Sequence, residues 1–122
     1  MPQDPSPLSA PASDVDLLRE IAEGSSEALA GFYDRHAAVA LGLLCRLLGH
    51  RTEAEEILQE VFLQVWRDAR RYDPGHASPR GWLLWLARSR ALDHYRGTLA
   101  RRRRENEAAR EAAEPLQRAH VL

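Results

Sequence analysis

Trp82, Trp85, Ser89, Asp93 and Arg96 recur at steps of three and four residues, which places them along one side of a helix. Indole faces accept stacked bases, and an arginine pairs with phosphate. Such a line suits an unpaired nucleic-acid strand. The same spacing also serves core packing. For two tryptophans met without context, burial with solvated arginines nearby is the stronger reading. Just upstream lies the short segment Tyr72-Asp73-Pro74-Gly75-His76-Ala77-Ser78-Pro79. Asp-Pro-Gly marks a turn, and Ser78-Pro79 reads as an N-cap followed by proline at the first helical position.

A second candidate surface precedes that loop. At about 100° per residue, Ala54, Leu58, Val61 and Val65 point one way, toward a core. Glu56, Gln59, Glu60, Leu63 and Arg67 point the other way, with Trp66 at the rim. Leu63 is therefore an apolar residue inside a polar face. Two readings stand level: a solvated face with one stray leucine, or a docking face for a basic helix or coiled coil.

Other chemistry finds little support. There is no glycine-rich phosphate loop and no nucleophile–base constellation. The five histidines are scattered at 36, 50, 76, 94 and 120. Cys45 is the single cysteine, so neither an internal disulfide nor a cysteine zinc site is available. It lies in an apolar stripe and is expected to be a small buried hydrophobe. The expectation is a protein without catalysis, cofactor or metal.

The elements that position these residues follow from start and stop signals. Four prolines, at 2, 5, 7 and 11, mark residues 1–12 as a disordered leader. Ser13 and Asp16 have capping-box spacing, and Val15, Leu18, Ile21 and Ala22 follow as an apolar face ended by Gly24. Ser25 or Ser26 caps a second helix. Its broad stripe runs Leu29, Phe32, Tyr33, His36, Val39, Ala40, Leu43, Leu44 and Leu47, and Gly49 stops it. His36 reads as a buried or half-buried, hydrogen-bonded histidine rather than a metal ligand, because no second ligand stands nearby. Thr52 with Glu55 suggests the next capping box. The fourth helix begins at Pro79, with Leu83, Leu84, Ala87 and Ala91 inward. Gly97 weakens it, Arg101–Arg104 begin a charged helical extension or linker, and the end around Pro115 reads as disordered. The result is an all-α protein, a compact bundle of about four helices over 13–100, with a tail over 101–122.

Charge divides the chain. Residues 1–60 carry 11 acids and 4 bases, net −7, whereas residues 61–122 carry 13 bases and 7 acids, net +6. One surface thus suits a basic partner and another an anionic one such as nucleic acid. No apolar run reaches the roughly 20 residues of a membrane span, and the N-terminus has no signal-peptide pattern. Membrane insertion is not expected, and a cytoplasmic location is the default.

The ordered series Glu53-Ala54-Glu55-Glu56-Ile57-Leu58-Gln59-Glu60-Val61-Phe62, Val65-Trp66, Trp82-Leu83, Ala87-Arg88-Ser89-Arg90-Ala91-Leu92-Asp93 and Arg96 resembles region 2 of sigma-70 family factors, most closely the extracytoplasmic-function group. The likeness covers about residues 14–100. It implies docking on the clamp helices of the RNA polymerase β′ subunit and recognition and melting of the promoter −10 element on the non-template strand. The polymerase face then maps to Glu56, Gln59, Glu60, Phe62, Leu63 and Trp66. The loop that captures a flipped base maps to Tyr72–Pro79 and the recognition helix to Trp82–Arg96. The implied DNA-binding set is Tyr72, Asp73, His76, Ser78, Arg80, Trp82, Trp85, Arg88, Ser89 and Arg96.

Two departures from the family pattern matter. Ser89 stands where the family usually has Asn, which narrows the donor and acceptor repertoire there. The helix-turn-helix domain that reads the −35 element has no counterpart in the chain, implying an isolated domain or a truncated or atypical member. An anti-sigma factor is a common partner in this group. The alternative function is a promoter-inactive helical module that kept the scaffold and binds an anti-sigma factor or another protein.

Overall fold

The computed structural model describes the backbone of residues 11–121 and side chains up to 113. The expected leader lies outside the described residues except for its last two positions. Among the described residues there are four α-helices, α1 (Asp14–Ala22), α2 (Ser26–Leu48), α3 (Arg51–Asp68) and α4 (Pro79–Val121), with a 3-10 turn at Ala69–Arg71 after α3. No strand occurs among the described residues, so the all-α bundle is the observed fold. No described helix is long and apolar enough to cross a membrane.

Local chemistry explains the first boundaries. The Asp16 amide donates to Ser13 Oγ at 3.1 Å and the Ser13 amide donates to Asp16 Oδ2 at 3.4 Å. Both partners of the box are therefore satisfied. Ser25 Oγ accepts from the Ala28 amide at 3.0 Å and starts α2. Gly49, at φ 77°, ends α2 with its amide on the Cys45 carbonyl at 2.9 Å. A left-handed residue at this position favours glycine.

The start of α3 differs from expectation. His50 is the N-cap and makes no side-chain capping bond, and Thr52 lies inside the helix. Gly49 turns the chain so sharply that helical geometry resumes at Arg51. Thr52 then lacks the extended backbone that a cap requires. Glu55 instead pairs with Arg51 across one turn, at 3.3 Å.

The core is a seam in which α2 meets all three other helices. Phe32, Leu18, Ile21, Leu44, Leu83, Val61 and Val65 are its largest fully buried side chains. Ala54, Leu58, Ala87 and Ala91 join it as expected, and so do Leu17, Ile57 and Leu86. Cys45 is half-buried and packs against the seam. Val15, Tyr33, Val39 and Leu47, expected inside, are exposed. The apolar stripes of α1 and α2 are wider than the arc their neighbours cover. Tyr33 nonetheless caps the core edge-on, with its ring 4.8 Å from Phe62.

Helix α4 is unbroken at Gly97 and its backbone continues past Pro115 to Val121, where a disordered end was expected. The Ala, Arg and Glu residues that fill this stretch are strong helix formers. After Ala91, α4 buries no further side chain among the described residues.

Phe62 and Leu63 are adjacent, about 100° apart around α3, yet 5% and 55% exposed. Phe62→Ala should cost about 3–5 kcal/mol through the cavity it leaves. Leu63→Ala should stay within about 0.5 kcal/mol of the parent. Urea denaturation of both variants checks this; equal stabilities would refute the assignment of Phe62 to the core.

Candidate nucleic-acid and protein interfaces

The loop between the 3-10 turn and α4 closes on itself. Asp73 Oδ1 accepts from the Gly75 amide at 2.8 Å. The Asp73 carbonyl accepts from the His76 amide at 3.0 Å and the Ala77 amide at 3.4 Å. The Tyr72 hydroxyl donates to the Ala77 carbonyl at 2.6 Å, spanning the loop from its first residue. Burial and the nearby Asp73 carboxylate push the Tyr72 phenol above its ordinary value, so it keeps its proton and remains a donor at neutral pH. Its ring packs on Trp82, with centroids 5.4 Å apart.

Ser78 caps α4, its Oγ accepting from the Gly81 amide at 3.0 Å. A Cβ at position 81 would come within 2.9 Å of that oxygen. Only glycine leaves the cap undisturbed. Asp73 and Ser78 are thus occupied inside the loop, while His76 projects outward, its Nε2 3.3 Å from Asp73 Oδ2.

The two tryptophans separate. Trp82 is half-buried against Tyr72 and the core, whereas Trp85 is 62% exposed. Arg88 and Arg96 are exposed and Ser89 is half-buried. Arg80 is held differently. Its Nε donates to His36 Nδ1 at 3.1 Å and its Nη2 to the Arg35 carbonyl at 3.4 Å, so its guanidinium is directed at α2.

On α3, Glu56, Gln59, Glu60, Leu63 and Trp66 are exposed together. Phe62 is not with them. It follows Leu58 by four residues, about 40° around the helix, and turns inward to Phe32 and Tyr33. Trp66 borders a hollow of about 270 Å³ lined also by Ile21, Ala22, Gly24 and Arg70, beside the α1–α2 turn.

Between the two faces runs an open groove of about 450 Å³, bounded by Ile57, Glu60 and Gln64 on α3 and by Trp85, Ser89 and Arg90 on α4. Arg90 bridges it. Its Nε donates to Gln64 Oε1 at 2.7 Å, and its Nη1 lies 3.6 Å from Glu60 Oε2. His94 Nε2 lies 3.6 Å from Glu53 Oε2 further along. Arg90, Gln64 and His94 were not singled out from sequence. Nothing local marks them, since each acquires its role from a partner on the other helix.

Residues 32–105 match the family model for sigma-70 region 2. Over 104 residues the chain is 40% identical to "ECF RNA polymerase sigma factor SigK" of Mycobacterium sp. strain KMS, covering 84% of this chain and 54% of that protein. It is 46% identical over 90 residues to the protein of that name from Mycolicibacterium vanbaalenii, covering 74% and 46%. For Mycobacterium tuberculosis strain H37Ra the identity is 40% over 95 residues, covering 77% and 51%. The chain spans about half the length of the curated relatives it matches.

Because the Tyr72–Ala77 bond spans the loop, Tyr72→Phe should loosen it without changing helical content. The expected result is faster amide hydrogen exchange at His76 and Ala77 with an unchanged far-ultraviolet circular dichroism spectrum. Unchanged exchange would mean that the Asp73 turn holds the loop alone.

Proposed function

This chain belongs to the sigma-70 family, in its extracytoplasmic-function group and through region 2, and from that premise we propose a two-sided role in transcription initiation. Helix α3 docks on the clamp helices of the RNA polymerase β′ subunit. The 72–79 loop and the adjoining face of α4 capture the non-template strand of the promoter −10 element. The chain performs no catalytic step of its own and acts with polymerase in the cytoplasm. Residues 13–100 form the region 2 unit, and the segment from 101 begins a linker.

The observation that carries this reading is the pair of unlike faces on adjacent helices. One places Leu63 and Trp66 among Glu56, Gln59 and Glu60. Exposed apolar side chains with Glu56 and Glu60 on the same face suit a partner helix that carries basic residues. The other places exposed Trp85 in line with Ser89 and Arg96 on α4, the helix that the loop leads into. Extruding a base costs a few kcal/mol, and stacking on one aromatic returns about 1–3 kcal/mol per base. One tryptophan is therefore comparable to the cost of one base.

The roles divide by what each side chain already holds within the chain. Trp85, Arg88, Ser89 and Arg96 meet the strand directly, and His76 with Asp73 forms the rim of the base pocket. Tyr72, Ser78 and Trp82 hold that pocket in shape. Arg80 positions the start of α4, and Phe62 supports the docking face from beneath. Ser89, in place of the usual Asn, contributes to the −10 preference together with the loop.

Two outcomes test the reading. In complex with polymerase core, Trp85→Ala should weaken binding of single-stranded −10 DNA by about 5- to 150-fold, the equivalent of about 1–3 kcal/mol. Binding by the parent chain should fall as salt rises, because arginine–phosphate contacts release counterions. Salt-insensitive binding without sequence preference would leave a protein-interaction module instead. Gln59→Ala combined with Glu60→Ala should reduce pulldown of the β′ clamp fragment at unchanged helicity. Undiminished pulldown would remove α3 from the docking role.

A further inference from the structure

His36 is 3% exposed, yet it has a charged neighbour on each ring nitrogen. Nδ1 accepts from Arg80 Nε of α4, at 3.1 Å. An accepting Nδ1 must carry a lone pair, so the ring is neutral with its proton on Nε2. That nitrogen lies 3.0 Å from Asp14 Oδ2 of α1. The N–H points too obliquely for a well-formed hydrogen bond, and Nε2 has no other acceptor. The approach is close enough to hold electrostatically.

The ring is held from the side by Phe32, with centroids 4.6 Å apart. Asp14 is shared, since its Oδ1 also accepts from Arg35 Nη1 at 3.0 Å. Burial opposes the Asp14 charge, but the close approach of His36 and the bond from Arg35 outweigh it and hold the carboxyl below its ordinary value. It is an anion at neutral pH. The imidazole therefore stands between a guanidinium on one helix and a carboxylate on another.

Arg80 sits in the first turn of α4, where the helix has no intrahelical acceptors for its amides and tends to fray. Ser78, two residues earlier, caps that turn, and Ala77 before it receives the Tyr72 hydroxyl. Fixing Arg80 thus fixes the C-terminal end of the 72–78 loop. We propose that Asp14, His36 and Arg80 form a positioning relay through which α1 holds the base-capturing loop, although α1 contributes no residue to either face. The relay rests on the reading of that loop as the site of base capture. His36 and Asp14 act through Arg80 and touch no DNA.

The test uses the full chain with polymerase core and reads three quantities: affinity for single-stranded −10 DNA, affinity for the β′ clamp fragment, and amide exchange at Ala77 and Gly81. His36→Leu and Asp14→Asn should each lower DNA affinity by about tenfold while clamp affinity holds. His36→Gln, whose amide can accept from Arg80 and donate toward Asp14, should recover most of the loss. Combining Asp14→Asn with His36→Leu should cost no more than either alone, because both cut the same path. Asp14 is partly exposed, so its variant keeps the fold even if His36→Leu does not. Parallel loss of DNA and clamp affinity, or DNA affinity unchanged in both variants, overturns the relay. Should the parent bind no −10 strand, the functional reading fails. Amide exchange then still judges the relay: faster exchange in both variants supports it, and parental rates overturn it.

Discussion

The bundle depends on one apolar seam. Phe32, Ala40 and Leu44 of α2 meet Leu18 and Ile21 of α1, Val61 and Val65 of α3, and Leu83 and Ala87 of α4. Each large side chain removed from water contributes about 1.5–3 kcal/mol, and no polar contact in the molecule matches the sum of these burials. The seam also decides what is left over. A helix that buries one arc must present the remainder, and on α3 the remainder is acidic with Leu63 and Trp66 set into it. On α4 it is Trp85 with the arginines that follow.

Polar contacts then set details that burial leaves free. Arg80 ties the start of α4 to α2, and Arg90 ties its middle to Gln64 and Glu60 of α3. Both are charge-assisted contacts at the margin of the core, where partial desolvation strengthens them relative to open water. Glu60 is the point where the proposed polymerase face and the proposed DNA face share a partner. The loop repeats this division of labour. Tyr72 packs its ring on Trp82 and spends its hydroxyl on Ala77, so one side chain joins core and loop.

Much of this was legible in the residues. The capping box at Ser13, the helix stop at Gly49, the Asp73-Pro74-Gly75 turn and the Ser78 cap are local devices, each set by a few neighbouring side chains. The inward faces of α3 and α4 followed from helical periodicity, and the motif series carried the family. The expected Thr52 cap failed because a tighter competitor, the left-handed Gly49 followed at once by helix, starts α3 earlier. The resemblance puts Phe62 on the polymerase face, whereas packing turns it into the core, about 40° around the helix from Leu58.

By itself the sequence determined which segments up to residue 100 are helical, where most of them begin, and which family they spell. Tertiary structure alone decided which of two tryptophans three residues apart meets water. Periodicity gives the angle between side chains on one helix, but the arc that neighbours cover depends on where those neighbours lie. It alone paired His36 with Arg80 and Asp14, and Arg90 with Gln64 and Glu60. Those partners are brought together only when the seam forms, and no local pattern in either segment encodes the meeting.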